Sequence, residues 1–452
     1  MVQGRSTAPV DQAPAPPPSE PRSILRNRHF LALWAAQAIS QTAQQAIWFG
    51  MIVVVEMVTQ SSTQLSVAVL STIIPAVLLG LIAGALVDMM NKKSVLVTTN
   101  LLRAATVLGY LLFPVSVYAV YLVNFVFVAI SQFFGPAEAS SIPQLVSKRQ
   151  LVAANSAFNL TYTGSQLVGI VIVAPWVIKL FGAETLFVGT SLLYVIAAAL
   201  VYMLPRGAPP EQPLSTLRRE TVVGEVVSQV DEAWSFIKTD SRTWWSMIYI
   251  TLTSCLMLIL GTLAPRFAVV VLGIQPEDAV YVLAPAFIGI VGVTLLLSRL
   301  VARFGAARVI NVGLGTTGVA ILAIASLQPA NAAMKSGVLG VVGAIVFAPL
   351  QSGLIPPLMV ISLILGAGYA LASVPSQAVL MERAPTDSRG RIFSVLWLMT
   401  NVVAIVPLVF LGGLADLLGI SVTMAAIAIP VFVTFAFSVR AQRQASTSAL
   451  RG

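Results

Sequence analysis

The sequence predicts an all-α polytopic membrane protein with twelve transmembrane helices in two six-helix bundles related by pseudo-two-fold symmetry. The first observation is composition: of the 452 residues, 57% are hydrophobic and only 10% are charged, whereas a soluble domain has about 25% charged residues. The second is that the apolar residues fall in long runs. The third is a charged stretch near the middle, residues 205–242, which divides these runs into two sets.

The runs have the length of membrane-spanning helices. A bilayer core about 30 Å thick requires about 20 apolar residues in a helix, and a helix satisfies its own backbone polar groups in lipid. Eleven runs lack charges and one, 94–118, contains only Arg103. The predicted spans are residues 30–55, 65–87, 94–118, 119–137, 151–178, 185–204, 243–264, 279–298, 309–328, 354–380, 392–411 and 420–439.

The distribution of Lys and Arg predicts the orientation. With twelve spans and both termini cytoplasmic, 22 of the 26 basic residues lie inside, as the positive-inside rule requires. A thirteenth span at 337–350 would move the basic segments that follow it to the outer side of the membrane. We therefore interpret 337–350 as a re-entrant or interfacial segment, whose role the sequence leaves open. The net charge of +9 is therefore expected to orient the chain in the cell membrane and to face anionic lipid, not nucleic acid.

The expected domain order follows from these runs. Residues 1–25 are predicted to be a disordered cytoplasmic tail, 26–204 the first bundle, 205–242 a cytoplasmic linker, 243–440 the second bundle and 441–452 a second tail. Within the linker, apolar residues recur at helical spacing, which predicts an amphipathic helix on the membrane surface. A plain solvated linker is the alternative.

Two basic loops occupy the same position in each half, between its second and third helices. The first contains Gly84, Asp88, Lys92 and Lys93, and the second contains Arg303, Gly305 and Arg308. These loops resemble the signature loop of the major facilitator superfamily. In the first, Met89 and Asn91 replace the usual basic residue and glycine, and in the second Ala302 replaces the acid. The resemblance implies a gating role for the matching residues.

Five further stretches resemble the drug-exporter branch of that superfamily, which includes macrolide and enterobactin exporters. They are residues 28–34, 100–104, 134–137, 151–156 and 388–391, and the resemblance covers about residues 26–440. It implies two bundles that rock about a central cavity. Gln44 stands where that branch often has an acid, and Glu138 where it often has a basic residue, so the usual route of proton coupling is not matched.

Uncharged polar residues share helix faces in four spans, as residues that line a cavity do. They are Gln37, Gln41, Gln44 and Trp48 in helix one, Asn155, Asn159, Tyr162 and Gln166 in helix five, Tyr369, Ser373 and Gln377 in helix ten, and Trp397 and Asn401 in helix eleven. We expect these faces to form a substrate cavity for amphipathic or neutral organic compounds. The alternative is that the amides form hydrogen bonds between helices.

Arg103 lies inside a predicted span, where an unpaired charge costs about 2.5–3.5 kcal/mol. We expect it to form a charge network with Asp88 and Glu138 that closes the cytoplasmic side in the outward-facing state. A static structural ion pair is the alternative. If protons drive transport, Asp88 and Glu138 are the candidate carriers.

The sequence favours a secondary transporter that exports small amphipathic compounds by alternating access, with proton coupling left open. The alternatives are a carrier or flippase for lipids or siderophores, and a transporter-like sensor that moves nothing. No Walker loop or catalytic triad is visible, and the single His29 and Cys255 provide no metal site, so we expect neither an enzyme nor a cofactor. A monomer with a small-molecule substrate is expected. Substrate identity, direction and coupling ion stay open.

Overall fold

The computed structural model describes residues 24–205, 234–235, 238, 241–335, 353–383 and 389–449, and these residues are helical with short connections. Within them, twelve helices are long and apolar enough to cross a membrane, which confirms the predicted fold class. The helices are α1 Arg28–Thr59, α2 Ser62–Asp88, α3 Lys92–Leu108, α4 Val117–Leu145, α5 Leu151–Phe181, α6 Ala183–Tyr202, α7 Ser241–Phe267, α8 Val280–Phe304, α9 Ala306–Lys335, α10 Ile355–Arg383, α11 Arg389–Leu418 and α12 Ile420–Ala449.

Several predictions fall on residues that the structure does not describe. They are most of the first tail, the segment 337–350 and nearly all of the linker helix, in which only Trp234, Ser235 and Lys238 are described as helical. The second predicted tail is mainly helical, because α12 continues to Ala449.

The predicted third span, 94–118, is wrong at its end. Helix α3 gives way to a 3-10 turn at Gly109–Leu112, and α4 begins at Val117. Pro114 lies between them, and its missing N–H cannot continue a helix. Two π-helical segments are also present: Val168–Val173 within α5, and Ala268–Leu272 directly after α7.

Side-chain caps fix the turn between α2 and α3. The Asn91 carboxamide oxygen accepts a hydrogen bond of 3.1 Å from the backbone N–H of Ser94, as a helix N-cap does. Lys92 Nζ donates to the backbone oxygens of Val87 and Asp88 at 2.8 and 2.6 Å, so it satisfies the last carbonyls of α2. The equivalent turn between α8 and α9 contains Gly305 with φ +82°, a backbone conformation that favours glycine.

The two halves share one packing plan. In the first half α4 packs on α2 and α3, and α6 packs on α3; in the second half α10 packs on α8 and α9, and α12 packs on α9. Each pair in the second half is a first-half pair shifted by six helices, which is the signature of a structural repeat. The halves meet mainly through α2 with α11, and α1 and α2 make smaller contacts with α7.

We name the two ends of the molecule by their residues. The basic end carries the α2–α3 turn with Lys92 and Lys93 and the α8–α9 turn with Arg303 and Arg308. The distal end carries the α1–α2 turn at Gln60 and Ser61 and the end of α11 at Leu418. Helices α1, α5, α7 and α11 run from the basic end to the distal end.

Candidate transport pathway and gates

Asp416 joins the two halves at the distal end. This carboxylate at the end of α11 accepts hydrogen bonds from the Ser61 hydroxyl at 2.7 Å, the Ser62 N–H at 2.7 Å, and the N–H and hydroxyl of Thr63 at 3.0 and 2.7 Å. All four donors belong to the first turn of α2. A carboxylate from the second half therefore caps a helix of the first half, where the helix dipole favours negative charge.

Two ion pairs also cross between the halves at the distal end. Arg266 Nη1 lies 3.1 Å from Glu56 Oε1, and Glu56 is only 1% exposed. Lys179 Nζ lies 2.6 Å from Asp278 Oδ1 in a more exposed pair. Because a buried carboxylate requires a partner, we expect the Glu56–Arg266 pair to contribute more to closure of this end.

Small residues let the halves approach closely between the distal end and the middle. A Cβ placed on Gly412 of α11 would lie 2.8 Å from the backbone oxygen of Ser62 in α2. A Cβ on Gly261 of α7 would lie 3.2 Å from the ring of Trp48 in α1. Closer to the basic end, a Cβ on Gly80 would lie 3.3 Å from the Trp397 ring.

At the basic end the halves have separate hydrophobic clusters. The buried residues of one cluster, which include Phe30, Phe158 and Leu204, all belong to the first half. Those of another, which include Met247, Leu380 and Ile392, all belong to the second half. The clusters nearer the distal end contain residues of both halves, for example Ile47 with Cys255 and Phe49 with Ala264. The described halves are thus joined at the distal end and have separate cores at the basic end.

One member of the predicted polar stripe of helix one contacts helix five. Gln37 Nε2 donates to the backbone oxygen of Phe158 at 3.4 Å, so part of the stripe joins α1 to α5. The Oε1 atoms of Gln37 and Gln41 are buried without a hydrogen-bond partner among the described residues. The other predicted members lie as follows: Asn155, Asn159 and Tyr162 are exposed, and Gln44, Trp48 and Gln166 are half-buried.

The predicted cavity residues of the second half lie on α10 and α11. Tyr369 lies beside Ser254 of α7, and Gln377 is half-buried further along α10. Trp397 is 47% exposed, and Asn401 Nδ2 donates to the Trp397 backbone oxygen at 2.8 Å. Ser373 is buried. No described contact joins these residues to the α1 and α5 stripes.

The family follows from a comparison with known proteins. Residues 33–354 match the family model described as Major Facilitator Superfamily, which is well over half of the chain. The chain belongs to the Major Facilitator Superfamily. It is therefore a transporter-family protein and not a member of an enzyme family, and the twelve spans among its described residues make it a multi-pass membrane protein.

Curated relatives are consistent with the drug-exporter branch of the superfamily. The chain is 22% identical over 409 residues to the uncharacterized MFS-type transporter YfiS of Bacillus subtilis (strain 168), covering 88% of this chain and 90% of the relative. It is 23% identical over 396 residues to the multidrug efflux pump Tap of Mycobacterium tuberculosis (strain ATCC 25618 / H37Rv), covering 84% and 85%.

Solved structures share the superfamily fold. The nucleoside transporter NupG, as its D323A mutant, aligns with TM-score 0.67 and 15% identity over 91% of this chain and 99% of its own. A bacterial homolog of the human lysosomal transporter Spinster, in an inward-facing and unoccupied conformation, aligns with TM-score 0.67 and 15% identity over 92% and 98%.

The superfamily signature residues lie at the basic end. Asp88 is exposed, with its carboxylate 4.0 Å from Lys92 Nζ. Lys93 Nζ donates to the backbone oxygen of Leu204 and lies 5.0 Å from the Tyr202 ring. The remaining members are positioned as follows: Gly84 is half-buried, Gly305 and Arg308 are exposed, and the Arg303 guanidinium lies 5.3 Å from the Phe304 ring.

The structure does not assemble the predicted network of Asp88, Arg103 and Glu138. Asp88 is at the surface, whereas Arg103 lies eleven residues into α3, about 16 Å along the helix, and is 1% exposed. Its guanidinium stacks over Phe134 at 4.3 Å and donates to the Ser131 backbone oxygen at 3.3 Å. The described ion pairs do not include Arg103 with Glu138, and the guanidinium face is instead stacked on Phe134, one turn before Glu138.

Unpaired polar atoms nevertheless surround Arg103. Its Nε and Nη1, both amide atoms of Asn100, the Tyr194 hydroxyl and Glu138 Oε1 are buried without a hydrogen-bond partner in the described part of the chain. The set contains donors and acceptors and both signs of charge, a combination that buried water satisfies. The geometry therefore suits a water-mediated link between Arg103 and Glu138.

Sequence reasoning missed the contacts that the distal acids make between the halves. No role is predicted from the sequence for Glu56, Asp278 or Asp416, yet each of them contacts the other half. One local signal was available: Ser61, Ser62 and Thr63 form a strong N-cap sequence. Nothing local indicates that the acid which binds there comes from residue 416.

Proposed function

We propose that this protein is a secondary transporter that exports small amphipathic organic compounds by alternating access. One observation carries the proposal: the halves are joined by ion pairs and a helix cap at the distal end and have separate cores at the basic end. A transporter that moves its substrate by rocking requires such reversible contacts at one end at a time.

The orientation is part of the proposal. The basic end faces the cytoplasm by the positive-inside rule, so the present conformation is inward-facing. The exposed Asn155, Asn159 and Tyr162 then lie in a pathway open to the cytoplasm, with Trp48 packed on Gly261 toward the closed end. Amide and phenol groups without charge suit neutral and amphipathic compounds, and the likeness to efflux pumps named Tap supports export.

The test is uptake into inverted membrane vesicles, in which export appears as accumulation. A panel of amphipathic compounds is measured with and without a pH gradient, for wild type, Asn159→Leu and the control Leu160→Ala on the same helix. We expect wild type to accumulate some compounds, Asn159→Leu to change which ones, and the control to match wild type. Absence of accumulation for every compound in wild type would contradict export.

We propose Glu138 as the proton-binding carboxylate of the cycle. It is buried in α4, its Oε1 has no partner among the described residues, and it shares a polar cluster with Arg103 away from both ends of the molecule. The other acids in the described spans lie near helix ends. A carboxyl group that alternates between protonated and ionised forms is suited to such a partly satisfied site.

Glu138→Gln tests this assignment, with the exposed Glu184→Gln as its matched control. If Glu138 carries the proton, the glutamine variant retains substrate exchange without a gradient and loses accumulation driven by the pH gradient. The Glu184 variant retains both. Full gradient-driven accumulation by Glu138→Gln would rule out this role and leave the export proposal intact.

A further inference from the structure

The second half contains a cavity of about 380 Å³ between α7, α11 and α12. Its lining comprises eight residues of α7 between Trp244 and Ile259, the α11 residues Met399, Val403, Pro407 and Leu411, and two residues of α12. Apart from the indole N–H of Trp244 at one end, only the Thr251 hydroxyl and the Cys255 thiol interrupt this apolar lining. An occupant without polar groups along its length is therefore required.

The cavity is long and follows the helices. Trp244 and Ile259 are fifteen residues apart, which is about 22 Å along α7, and the α11 lining residues recur every fourth position on one face. The hydrocarbon core of one leaflet is about 15 Å deep. The cavity thus runs from the basic end past the middle of the bilayer, and its modest volume over this length suits a single extended chain.

The cavity opens on the outer surface of the bundle. Val403 of α11 is 45% exposed and Pro430 of α12 is exposed, although both line the cavity. Helix α12 packs on α7, α9 and α11 of its own half, so its exposed side faces away from the interface between the halves. That surface faces lipid in a membrane-spanning bundle, and an occupant can enter from the bilayer.

In the first half, the helices at the corresponding place are closely packed. There α1 packs closely on α6, and a Cβ added to Gly50 would overlap Leu186 and lie 3.6 Å from the Phe187 ring. The two halves otherwise share one packing plan, so the fold alone does not produce this cavity. It is a specific feature of the α7–α12 pair.

Positive charge lies beside the cavity at the basic end. The Trp244 ring, which lines the cavity, lies 5.9 Å from the Trp234 ring, and Lys238 Nζ lies 5.0 Å from Trp234. Arg242 is exposed at the start of α7. Tryptophan rings at helix ends mark the level of lipid head groups, and Lys and Arg at that level attract anionic lipid.

We propose that this cavity binds one acyl chain of an anionic phospholipid from the bilayer, with its phosphate head group beside Lys238 and Arg242. The apolar lining binds the chain along its length, and the basic residues select the charge of the head group. This site is separate from the transport pathway between the halves and does not depend on the proposed export activity.

Native mass spectrometry of the full-length protein tests the proposal. The protein is extracted in mild detergent from liposomes that contain phosphatidylcholine and phosphatidylglycerol. Wild type should retain one phosphatidylglycerol molecule. Thr251→Phe with Val403→Phe fills the cavity and should lose it, whereas Val406→Phe, an exposed residue of α11 outside the cavity, should retain it. Lys238→Glu should lower the preference for phosphatidylglycerol over phosphatidylcholine several-fold.

Cys255 provides a second readout that uses the wild-type protein and so does not depend on whether a cavity variant folds. It is the only cysteine of the chain and it lines the cavity. Its alkylation by an apolar maleimide should increase several-fold after delipidation and return to the original rate with phosphatidylglycerol, but not with phosphatidylcholine.

Three results would overturn the proposal. The first is that the filled variant retains as much phospholipid as wild type. The second is that phosphatidylglycerol does not change the alkylation rate of Cys255. The third is that a transported compound, and not the lipid, protects Cys255. The last result would assign the cavity to substrate.

Discussion

The two halves make different contacts at the two ends of the molecule. At the distal end, Asp416 caps α2 and Glu56 pairs with Arg266, and both contacts cross between the halves. At the basic end, Lys92 and Lys93 bind carbonyl groups of their own half, and each half has its own hydrophobic cluster. Polar contacts between the halves can break without loss of either bundle, which is the property a gate requires.

The largest effect is expected from removal of Arg266. Arg266→Met leaves the buried Glu56 carboxylate without its partner, and breaking a buried ion pair costs about 3–5 kcal/mol. We expect a lower thermal unfolding temperature in detergent and a shift away from the distal-closed state. The double variant Glu56→Gln with Arg266→Met should recover most of the loss. Equal stability of the double variant and the single variant would contradict this explanation.

Removal of the interhalf helix cap should have the next largest effect. Asp416→Ala deprives the first turn of α2 of four hydrogen bonds, and loss of a helix cap costs about 2 kcal/mol, roughly a thirty-fold change in an equilibrium constant. Residues at the distal end should become accessible to membrane-impermeant labels. Thr294→Ala, which removes a hydroxyl bonded only within α8 among the described contacts, is the control and should behave as wild type.

Substitution of two neighbouring glycines of α11 distinguishes a steric effect at the interface between the halves from a general effect on the helix. A Cβ on Gly412 would collide with Ser66 and approach the Ser62 backbone, whereas a Cβ on Gly413 meets nothing within 4 Å. Overpacking costs about 1–3 kcal/mol, so Gly412→Val should favour the distal-open state and Gly413→Val should not. The same shift in both variants would mean that α11 itself is sensitive, not its contact with α2.

The smallest effect is expected at the exposed pair of Lys179 and Asp278. Solvent screens exposed ion pairs and makes their net contribution small. Lys179→Ala should therefore leave transport and distal accessibility close to wild type at physiological salt. An effect as large as that of Arg266→Met would show that this pair, and not the buried one, dominates closure.

The sequence predicted the spans well because apolar length is a property of each segment alone. All twelve were predicted, and the errors lie at the ends. The run that ended at Ala137 continues as α4 to Leu145, since Glu138 ends an apolar run but does not end a helix. The π-helical segment of α5 was not foreseen. It contains Gly169, where a Cβ would lie 2.7 Å from the Thr42 backbone oxygen of α1.

The candidate site was less predictable because it depends on which helices meet. The stripes of Gln37 and Asn159 follow from helical periodicity, but their contacts depend on how α1 packs on α5. The position of Arg103 inside a span was evident, and its stacking on Phe134 was not. The contacts of Asp416 with Ser61 and Thr63 join residues more than 350 positions apart, and no local pattern specifies such a pairing.

Distances between spin labels at both ends test the alternating-access account most directly. In a Cys255→Ser background, one label pair is placed at the distal end at Met57 and Leu417, and another at the basic end at Lys148 and Glu382, all of which are exposed. The account predicts a short distal distance and a long basic-end distance at rest. It also predicts that Asp416→Ala lengthens the first and shortens the second together. Independent changes, or a basic-end distance that stays constant while the distal end opens, would contradict it.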